Sequence, residues 1–236
     1  MKKEKFEDWI LFENENYLLV NKPPFLSTLM DRQSERNVLD LARGYVTDAQ
    51  VAHRLDKNTS GVIAIAKNPE AYRSLAIQFE KRKVYKIYHA LTDGIHKFED
   101  HKVAVPLLTT GKGEVKPSRK GKASETILNS IKAFSNHTLL SCKPLTGRMH
   151  QVRVHCAYAG APIACDELYG GKWLYLSSLK RKFNIGKFEE EQPLIKRYAL
   201  HAHELVFKDL DGKKVGAVAP YPKDFEVLIK QLEKNS

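Results

Sequence analysis

The stretch His53-Arg54-Leu55-Asp56-Lys57-Asn58-Thr59-Ser60-Gly61, followed by Val62-Ile63-Ala64-Ile65-Ala66, decides the fold of this 236-residue chain. It places one carboxylate, Asp56, between an arginine and a lysine in a polar loop that runs directly into an apolar segment. Because β-branched residues favour strands, the apolar segment predicts a buried strand. Taken alone, the polar loop is most simply a capped turn with a surface ion pair.

Three further motifs give this loop a different interpretation. They are Leu19-Val20-Asn21-Lys22-Pro23-Pro24, Lys86-Ile87-Tyr88-His89-Ala90, and Gly147-Arg148-Met149-His150-Gln151-Val152-Arg153-Val154-His155. Together, and in this order, the motifs resemble those of the RNA pseudouridine synthases typified by ribosomal large-subunit pseudouridine synthase A. The resemblance extends from about Phe12 to about Phe225. It therefore implies the fold and the reaction of that family for nearly the whole chain.

The charge of the chain indicates a polyanionic partner. Lys and Arg number 39 against 28 Asp and Glu, so the formal net charge is +11, and the sequence pI is about 9.4. Such a chain is expected to bind RNA or DNA, although a basic surface also serves solubility alone. No segment has the length and apolarity of a membrane span. Three cysteines without C-x-x-C spacing predict neither a disulfide framework nor a cysteine zinc site. Free cysteines are expected in a reducing compartment, so we expect a cytoplasmic protein.

The order of the elements predicts an α+β fold with a mixed, mainly antiparallel central sheet flanked by helices. We expect one catalytic domain over residues 1–236, without a separate N-terminal RNA-binding domain, because the Leu19 motif begins so early. The predicted strands are 18–20, 62–66, 85–91, 125–134 and 138–143. The predicted helices are one capped by Ser34, one from Asn68 to about Lys83, and an amphipathic one after Pro222. Residues 152–159 fit a strand by their β-branched residues or a helix by the Gly160 stop, and the resemblance favours the helix.

The resemblance implies catalytic roles for Asp56, Tyr88 and Arg153. The family breaks the bond from ribose C1′ to uracil N1, turns the base, and joins C1′ to C5. Asp56 either attacks C1′, as in a retaining glycosidase, or removes the C2′ proton, and both routes stay open. Arg153 is the expected cationic partner that keeps Asp56 ionised. Tyr88 either takes the C5 proton or stacks on the uracil.

RNA contacts are expected from five residues, namely Arg54, Gly147, Arg148, His150 and Gln151. The target uridine must be flipped out of its stack, and the resemblance implies that Arg54 fills the gap and holds the strand. The reaction implies no cofactor, and the chain has no Walker loop or G-x-G-x-x-G motif. His150 and His155 are five residues apart and have no evident third ligand, so we expect no metal. The partner is ribosomal or transfer RNA, with no obligate protein partner and no membrane.

Two segments interrupt the pattern. Residues 111–122 carry five basic residues against one acid, and we expect a mobile loop that docks RNA. Residues 172–197 are longer than the family leads us to expect, and they contain Lys180-Arg181-Lys182 and Glu189-Glu190-Glu191. Two other functions fit the chain: an RNA-binding or ribosome-assembly protein with an idle catalytic fold, and a glycosidase. Retaining glycosidases usually need a second carboxylate as acid/base, and no matching motif of this chain supplies one.

Overall fold

The computed structural model of the chain describes residues 5–30, 36–111, 113–180, 183 and 190–236. In chain order the strands are β1 (Ile10–Glu13), β2 (Tyr17–Lys22), β3 (Ser60–Ala66), β4 (Tyr85–Asp93), β5 (His101–Val103), β6 (Leu107–Thr109), β7 (Val115–Pro117), β8 (Thr126–Ala133), β9 (His137–Pro144), β10 (Leu200–Lys208) and β11 (Lys214–Val218). The α-helices are α1 (Val38–Tyr45), α2 (Pro69–Glu80), α3 (Gln151–Tyr158) and α4 (Lys223–Lys234). The paired strands and separate helices confirm the α+β prediction.

The chain divides into two compact units. The first contains Met1–Tyr88 and His201–Pro220, and the second contains His89–Leu200 and Tyr221–Ser236. In the first unit the strand order is β1-β2-β3-β10-β11, antiparallel except for the parallel pair β3–β10. Strand β4 spans the boundary between the units, because Tyr88 is the last residue of the first and His89 opens the second. In the second unit the order is β4-β9-β8-β5, and β6 and β7 form a separate antiparallel hairpin.

Strand β3 is buried on both faces, as its continuous apolar sequence predicts. Val62, Ala64 and Ala66 pack in one cluster with Leu75 of α2, while Ile63 and Ile65 belong to a second cluster with Val38 of α1. This alternation follows from the period of two in a strand. A strand with both faces packed is a rigid base for the polar loop that precedes it.

The helix boundaries depend on local caps. The Asn68 side chain accepts the N–H of Ala71, and Pro69 occupies the first position of α2, as the sequence predicts. This helix ends at Glu80 rather than near Lys83, and Arg82 has the left-handed φ of 56°. The cap predicted at Ser34 is wrong: α1 begins at Val38, and Asn37 accepts the N–H of Asp40. Ser34 itself lies outside the described residues.

The basic segment at 111–122 contains regular structure, contrary to the expectation of a mobile loop. Residues Val115–Pro117 form β7, and Val115 is buried in a cluster with Leu107 and Val154. Gly121 is required there, because a Cβ would lie 2.4 Å from the backbone carbon of Leu107. The segment therefore contributes β7 to the β6–β7 hairpin, and its described basic side chains are exposed on an anchored backbone.

The segment 172–197 is described only in part. Leu176–Ser178 form one turn of 3₁₀ helix, and the N–H of Leu194 donates to the carbonyl of Leu174. Arg181, Lys182 and Glu189 lie outside the described residues. Elsewhere the predicted strands and the helices at α3 and α4 are confirmed, with ends that differ by a few residues. In the described ranges no helix combines the length and hydropathy that crossing a bilayer requires.

Candidate active site

Asp56 stands in a turn whose backbone is held on both sides. The N–H of Thr59 donates to the carbonyl of Asp56 at 3.0 Å, which closes the turn directly before β3. Before Asp56, the hydroxyl of Thr28 donates to the carbonyl of Leu55 at 2.9 Å and accepts its N–H at 3.0 Å. After Asp56, the Lys22 ammonium donates to the carbonyl of Lys57 at 3.2 Å. The half-buried carboxylate therefore projects from a fixed backbone.

Lys22 is fully buried and satisfied by main-chain oxygens. Its Nζ also donates to the carbonyls of Pro23 at 2.9 Å and Leu26 at 2.8 Å. A buried ammonium is costly unless its donors are satisfied, so these three carbonyls explain how the charge is tolerated. The motif Asn21-Lys22-Pro23 singled out Lys22 in the sequence, but only the structure shows which carbonyls its ammonium binds.

His53 secures the start of the same loop. β3 pairs with β10 at Ser60 and Gly61 and with Gln50 at Ala66. Between these contacts, the N–H of Ala64 donates to Nε2 of His53 at 3.0 Å, and the imidazole stacks on Phe79. Burial, followed by the charge of Lys86, lowers the pKa of His53 to about 3. The ring is thus neutral at physiological pH and remains an acceptor.

The other end of the loop is fixed by β10. Nε2 of His201 donates to the carbonyl of Ala219, so its Nδ1 accepts the hydroxyl of Ser60 at 2.9 Å. Ser60 and His201 are fully buried, so this pair is structural. Gly61 has φ of 116°, and a Cβ there would lie 2.1 Å from the carbonyl oxygen of Ala202. Only glycine allows this approach of the two strands.

Tyr88 lies in the same unit as Asp56, and the charge of Asp56 affects its pKa. The ring packs against the core cluster that contains Leu55, the residue before Asp56. Burial, and then the Asp56 carboxylate, raise the pKa of Tyr88 well above its ordinary value. The structure therefore brings Asp56 and Tyr88 together as a carboxylate and a protonated phenol.

Two basic residues of the sequence motifs, Lys86 and Arg54, also lie in the first unit. Lys86 is two residues before Tyr88 in β4, and therefore on the same face of that strand. Burial lowers the pKa of Lys86 to about 8, and its Nζ lies 5.8 Å from the centroid of the Phe79 ring. Arg54 is exposed at the start of the Asp56 loop, which suits a residue that meets RNA.

Arg153 belongs to the second unit and is buried on α3. Its Nε and Nη2 donate to the two carboxylate oxygens of Asp166 at 2.7 and 2.6 Å. The guanidinium also lies over the rings of Tyr169 and Tyr198, 4.8 and 4.0 Å from their centroids. Asp166 is thus a partner that the sequence did not reveal. The pairing of Arg153 with Asp56 stays a prediction.

The turn before α3 contains the remaining predicted RNA contacts. Gly147 is exposed, and Arg148 and His150 are partly exposed. Nε of Arg148 donates to the carbonyl of Ala123 at 3.3 Å. His150 is the N-cap residue of α3, with φ of 53°, and its Nδ1 is 2.8 Å from the hydroxyl of Tyr169. RNA contact by these three residues stays a prediction.

Gln151 requires a correction. Its Oε1 accepts from the Thr146 hydroxyl and the Arg148 N–H, and its Nε2 donates to Glu125 and Thr126. The side chain is buried and these four bonds occupy its full hydrogen-bonding capacity. Gln151 therefore shapes the turn that presents Arg148 and does not offer its amide to RNA.

No metal site is evident in the described part of the chain. No group of three His, Cys, Asp or Glu side chains there has the arrangement that could hold an ion. His155 is buried, with Nδ1 at 2.9 Å from the Thr126 hydroxyl and Nε2 at 3.1 Å from the Ser124 hydroxyl. Its two nitrogens thus face protein partners.

Comparisons with known proteins find similar sequences and similar folds. The sequence profile of the family described as RNA pseudouridylate synthase matches residues 16–158. A ribosomal large subunit pseudouridine synthase C of Buchnera aphidicola subsp. Baizongia pistaciae is 34% identical over 235 residues, which are 96% of this chain and 71% of the relative. The protein of that name from Escherichia coli K12 is 37% identical over 172 residues, which are 70% of this chain and 54% of the relative. The match thus covers only part of the length of each of these two relatives.

Two solved structures share the fold. Human RNA Pseudouridylate Synthase Domain Containing 4 has a TM-score of 0.73 and 24% identity, and the match covers 97% of this chain and 94% of that one. Human RNA Pseudouridylate Synthase Domain Containing 1 has a TM-score of 0.69 and 26% identity, with 94% and 87% covered. At such identities the likeness bears on the fold.

Proposed function

Because the chain belongs to the RNA pseudouridylate synthase family, we propose that it isomerises uridine in ribosomal RNA to pseudouridine, with Asp56 acting at the ribose. The observation that carries the proposal is the Asp56 turn: Thr28 and Lys22 fix the backbone on either side of a carboxylate that lies close enough to affect the Tyr88 phenol. A carboxylate held this way is positioned before the substrate arrives, which favours reaction at one sugar atom.

The reaction needs no net gain or loss of atoms. On the nucleophilic route the Asp56 carboxylate bonds to C1′ while the C1′–N1 electron pair leaves with the uracil. The base turns, C5 bonds to C1′, and the carboxylate leaves. A proton then departs from C5 and one is gained at N1. On the alternative route Asp56 takes the C2′ proton, the C2′–H electron pair becomes the C1′=C2′ bond of a glycal, and the uracil leaves with the C1′–N1 pair. The proton returns to C2′ when C5 bonds to C1′. Arg153 is proposed to support the ionised Asp56.

Ribosomal RNA is the substrate that the names of the relatives favour. We place the chain in the branch typified by ribosomal large-subunit pseudouridine synthase A on the strength of its four motifs. The net charge of +11 supports RNA binding by the chain itself, with no obligate protein partner. One catalytic domain and a cytoplasmic location complete the proposal.

Mapping of pseudouridine tests the function directly. In total RNA from a strain that lacks the gene, one or a few ribosomal pseudouridines should be missing, and the wild-type gene should restore them. Transfer RNA from the same cells is the comparison. An unchanged map of both RNAs would contradict the proposal. Release of free uracil by the purified protein would instead favour a glycosidase.

Tyr88→Phe should lower turnover by about 10²-fold or more while RNA affinity changes little, because the ring remains and the hydroxyl is lost. Since the pKa of Tyr88 is raised, its phenol should stay protonated through the range in which a free tyrosine begins to ionise, near pH 10. A single-turnover pH profile up to about pH 9.5 should therefore show no limb that disappears in Tyr88→Phe. A change in affinity alone would show that the Tyr88 hydroxyl takes no part in turnover.

The β6–β7 hairpin and the turn that follows it should act in RNA docking. Lys116, Arg119, Lys120 and Lys122 are exposed, and Lys112 lies outside the described residues. Replacing all five with Gln should weaken RNA binding and flatten its salt dependence by roughly 0.7 log units per lost phosphate contact, with the saturated single-turnover rate nearly unchanged.

A control variant should separate docking from net charge. Lys97, Lys223 and Lys234 are exposed in the same unit, and their replacement with Gln should alter affinity less per charge removed. An unchanged affinity and salt slope in the hairpin variant would show that the hairpin is a solvated surface.

A further inference from the structure

A cavity of about 520 Å³ lies in the first unit, beside the turn that follows β2. Its walls combine aromatic rings with charged groups. Residues that line it include Phe6, Trp9, Phe25, Tyr45, Lys5 and Arg36, with Glu7 as the acid. The ring centroids of Trp9 and Tyr45 each lie 5.9 Å from that of Phe6. The cavity thus offers aromatic surface together with two cations.

Phe25 is held at this cavity in a costly conformation. Its φ is 65°, in the left-handed region that bulky residues rarely adopt, and its side chain is 51% exposed. The buried Lys22 ammonium fixes the backbone on both sides, through the carbonyls of Pro23 and Leu26. A strained backbone that presents a ring to solvent gains nothing from core packing, and such strain concentrates at ligand-binding positions.

The same ammonium joins the cavity wall to the Asp56 turn. Nζ of Lys22 donates to Leu26 at 2.8 Å and to Lys57, the residue after Asp56, at 3.2 Å. A ligand against Phe25 would therefore lie close along the surface to the loop that carries the carboxylate. Neighbouring nucleotides of one RNA strand have this relationship.

We propose that this cavity binds an unpaired nucleotide of the substrate RNA, next to the uridine on which Asp56 acts. Its base stacks on Phe25 and Trp9, and its phosphate is drawn to Lys5 and Arg36, since single-stranded RNA is bound by aromatic stacking together with basic groups. The proposal rests on RNA being the substrate. The two cations against one acid, in a chain of charge +11, favour RNA over an apolar segment of a protein.

Trp9 provides a direct readout. The chain contains two tryptophans, Trp9 and Trp173, so Trp173→Phe leaves the cavity as the only source of tryptophan fluorescence. In this background a short single-stranded oligouridylate should quench Trp9 at saturation. An abasic oligomer of equal length, which has the phosphates without the bases, should quench little. Equal quenching by both oligomers, or none by either, would overturn base stacking in the cavity.

Phe25→Gly separates binding from folding. Glycine adopts positive φ readily, so the variant should melt at the same temperature as its parent or higher. Loss of one stacked base should weaken oligouridylate binding by roughly 5- to 100-fold. Phe25→Tyr keeps a ring and should retain most of the affinity. Ile131→Ala, at a residue 48% exposed in the other unit, is the control and should bind as the parent does.

The outcomes distinguish the cavity from the proposed function. Unchanged affinity in Phe25→Gly would overturn the cavity proposal, whatever the rRNA map shows. So would a fall in affinity that accompanies a lower melting temperature and is not rescued by Phe25→Tyr. Because the fluorescence requires no turnover, the expected quenching with a normal pseudouridine map would overturn the proposed function alone.

Discussion

Asp56→Asn is expected to abolish isomerisation, with a loss of at least roughly 10⁴-fold, as when a nucleophile or its base is removed. Asparagine has nearly the shape of aspartate but neither attacks C1′ nor accepts the C2′ proton. Thr28 and Lys22 hold the neighbouring backbone carbonyls, so the turn should keep its geometry. Turnover of unmodified large-subunit ribosomal RNA transcribed in vitro, beside its dissociation constant, measures the effect.

RNA affinity should change little in the same variant. Asp48→Asn is the matched control, because it removes an exposed carboxylate from the same unit and should keep full activity. Isomerisation by Asp56→Asn at a near wild-type rate would eliminate Asp56 as the reacting group. A parallel loss of RNA binding and melting temperature would indicate a structural role instead.

Arg153→Met should destabilise the protein by about 3–5 kcal/mol, because it leaves the Asp166 carboxylate buried without its cation. The side chains of Arg153 and Asp166 are 7% and 2% exposed, so solvent screens this pair weakly. Asp166→Asn should also be destabilising, since the guanidinium then lacks its carboxylate. Equilibrium unfolding in urea measures both losses.

The double variant Arg153→Met with Asp166→Asn tests the coupling. Neither residue then carries a charge, so the double variant should lose much less stability than the sum of the two single losses. If Arg153 also serves Asp56, as the sequence predicts, the recovered protein should still turn over slowly. Additive losses in the double variant would show that the two residues are not a coupled pair. Recovery of both stability and turnover would remove the catalytic role of Arg153.

Much of the fold follows from local sequence. The apolar run Val62–Ala66 predicts a buried strand, and the structure packs both of its faces. Asn68 before Pro69 predicts the start of α2, and the apolar spacing after Pro222 predicts α4. These predictions succeed because a cap or a periodic pattern involves residues within about four positions of one another.

Other features depended on chain segments that meet from far apart. Strand β7 replaced part of the predicted mobile loop because Leu107 and Val154 bury Val115. For Gln151 the motif indicated RNA contact, but its four partners lie 3 to 26 positions away. A polar side chain looks the same in sequence whether it faces solvent or a buried carbonyl.

The sequence by itself determined the family, the candidate Asp56 and Tyr88, and the strand that supports them. Only the tertiary structure decided what holds these residues. Lys22 reaches Lys57 across 35 positions, and Thr28 reaches Leu55 across 27. The Asp166 partner of Arg153 likewise comes from a turn beyond the end of α3. Motifs record which chemical groups are present, whereas the partners that fix a charge depend on the path of the whole chain, because burial makes each unpaired polar group costly.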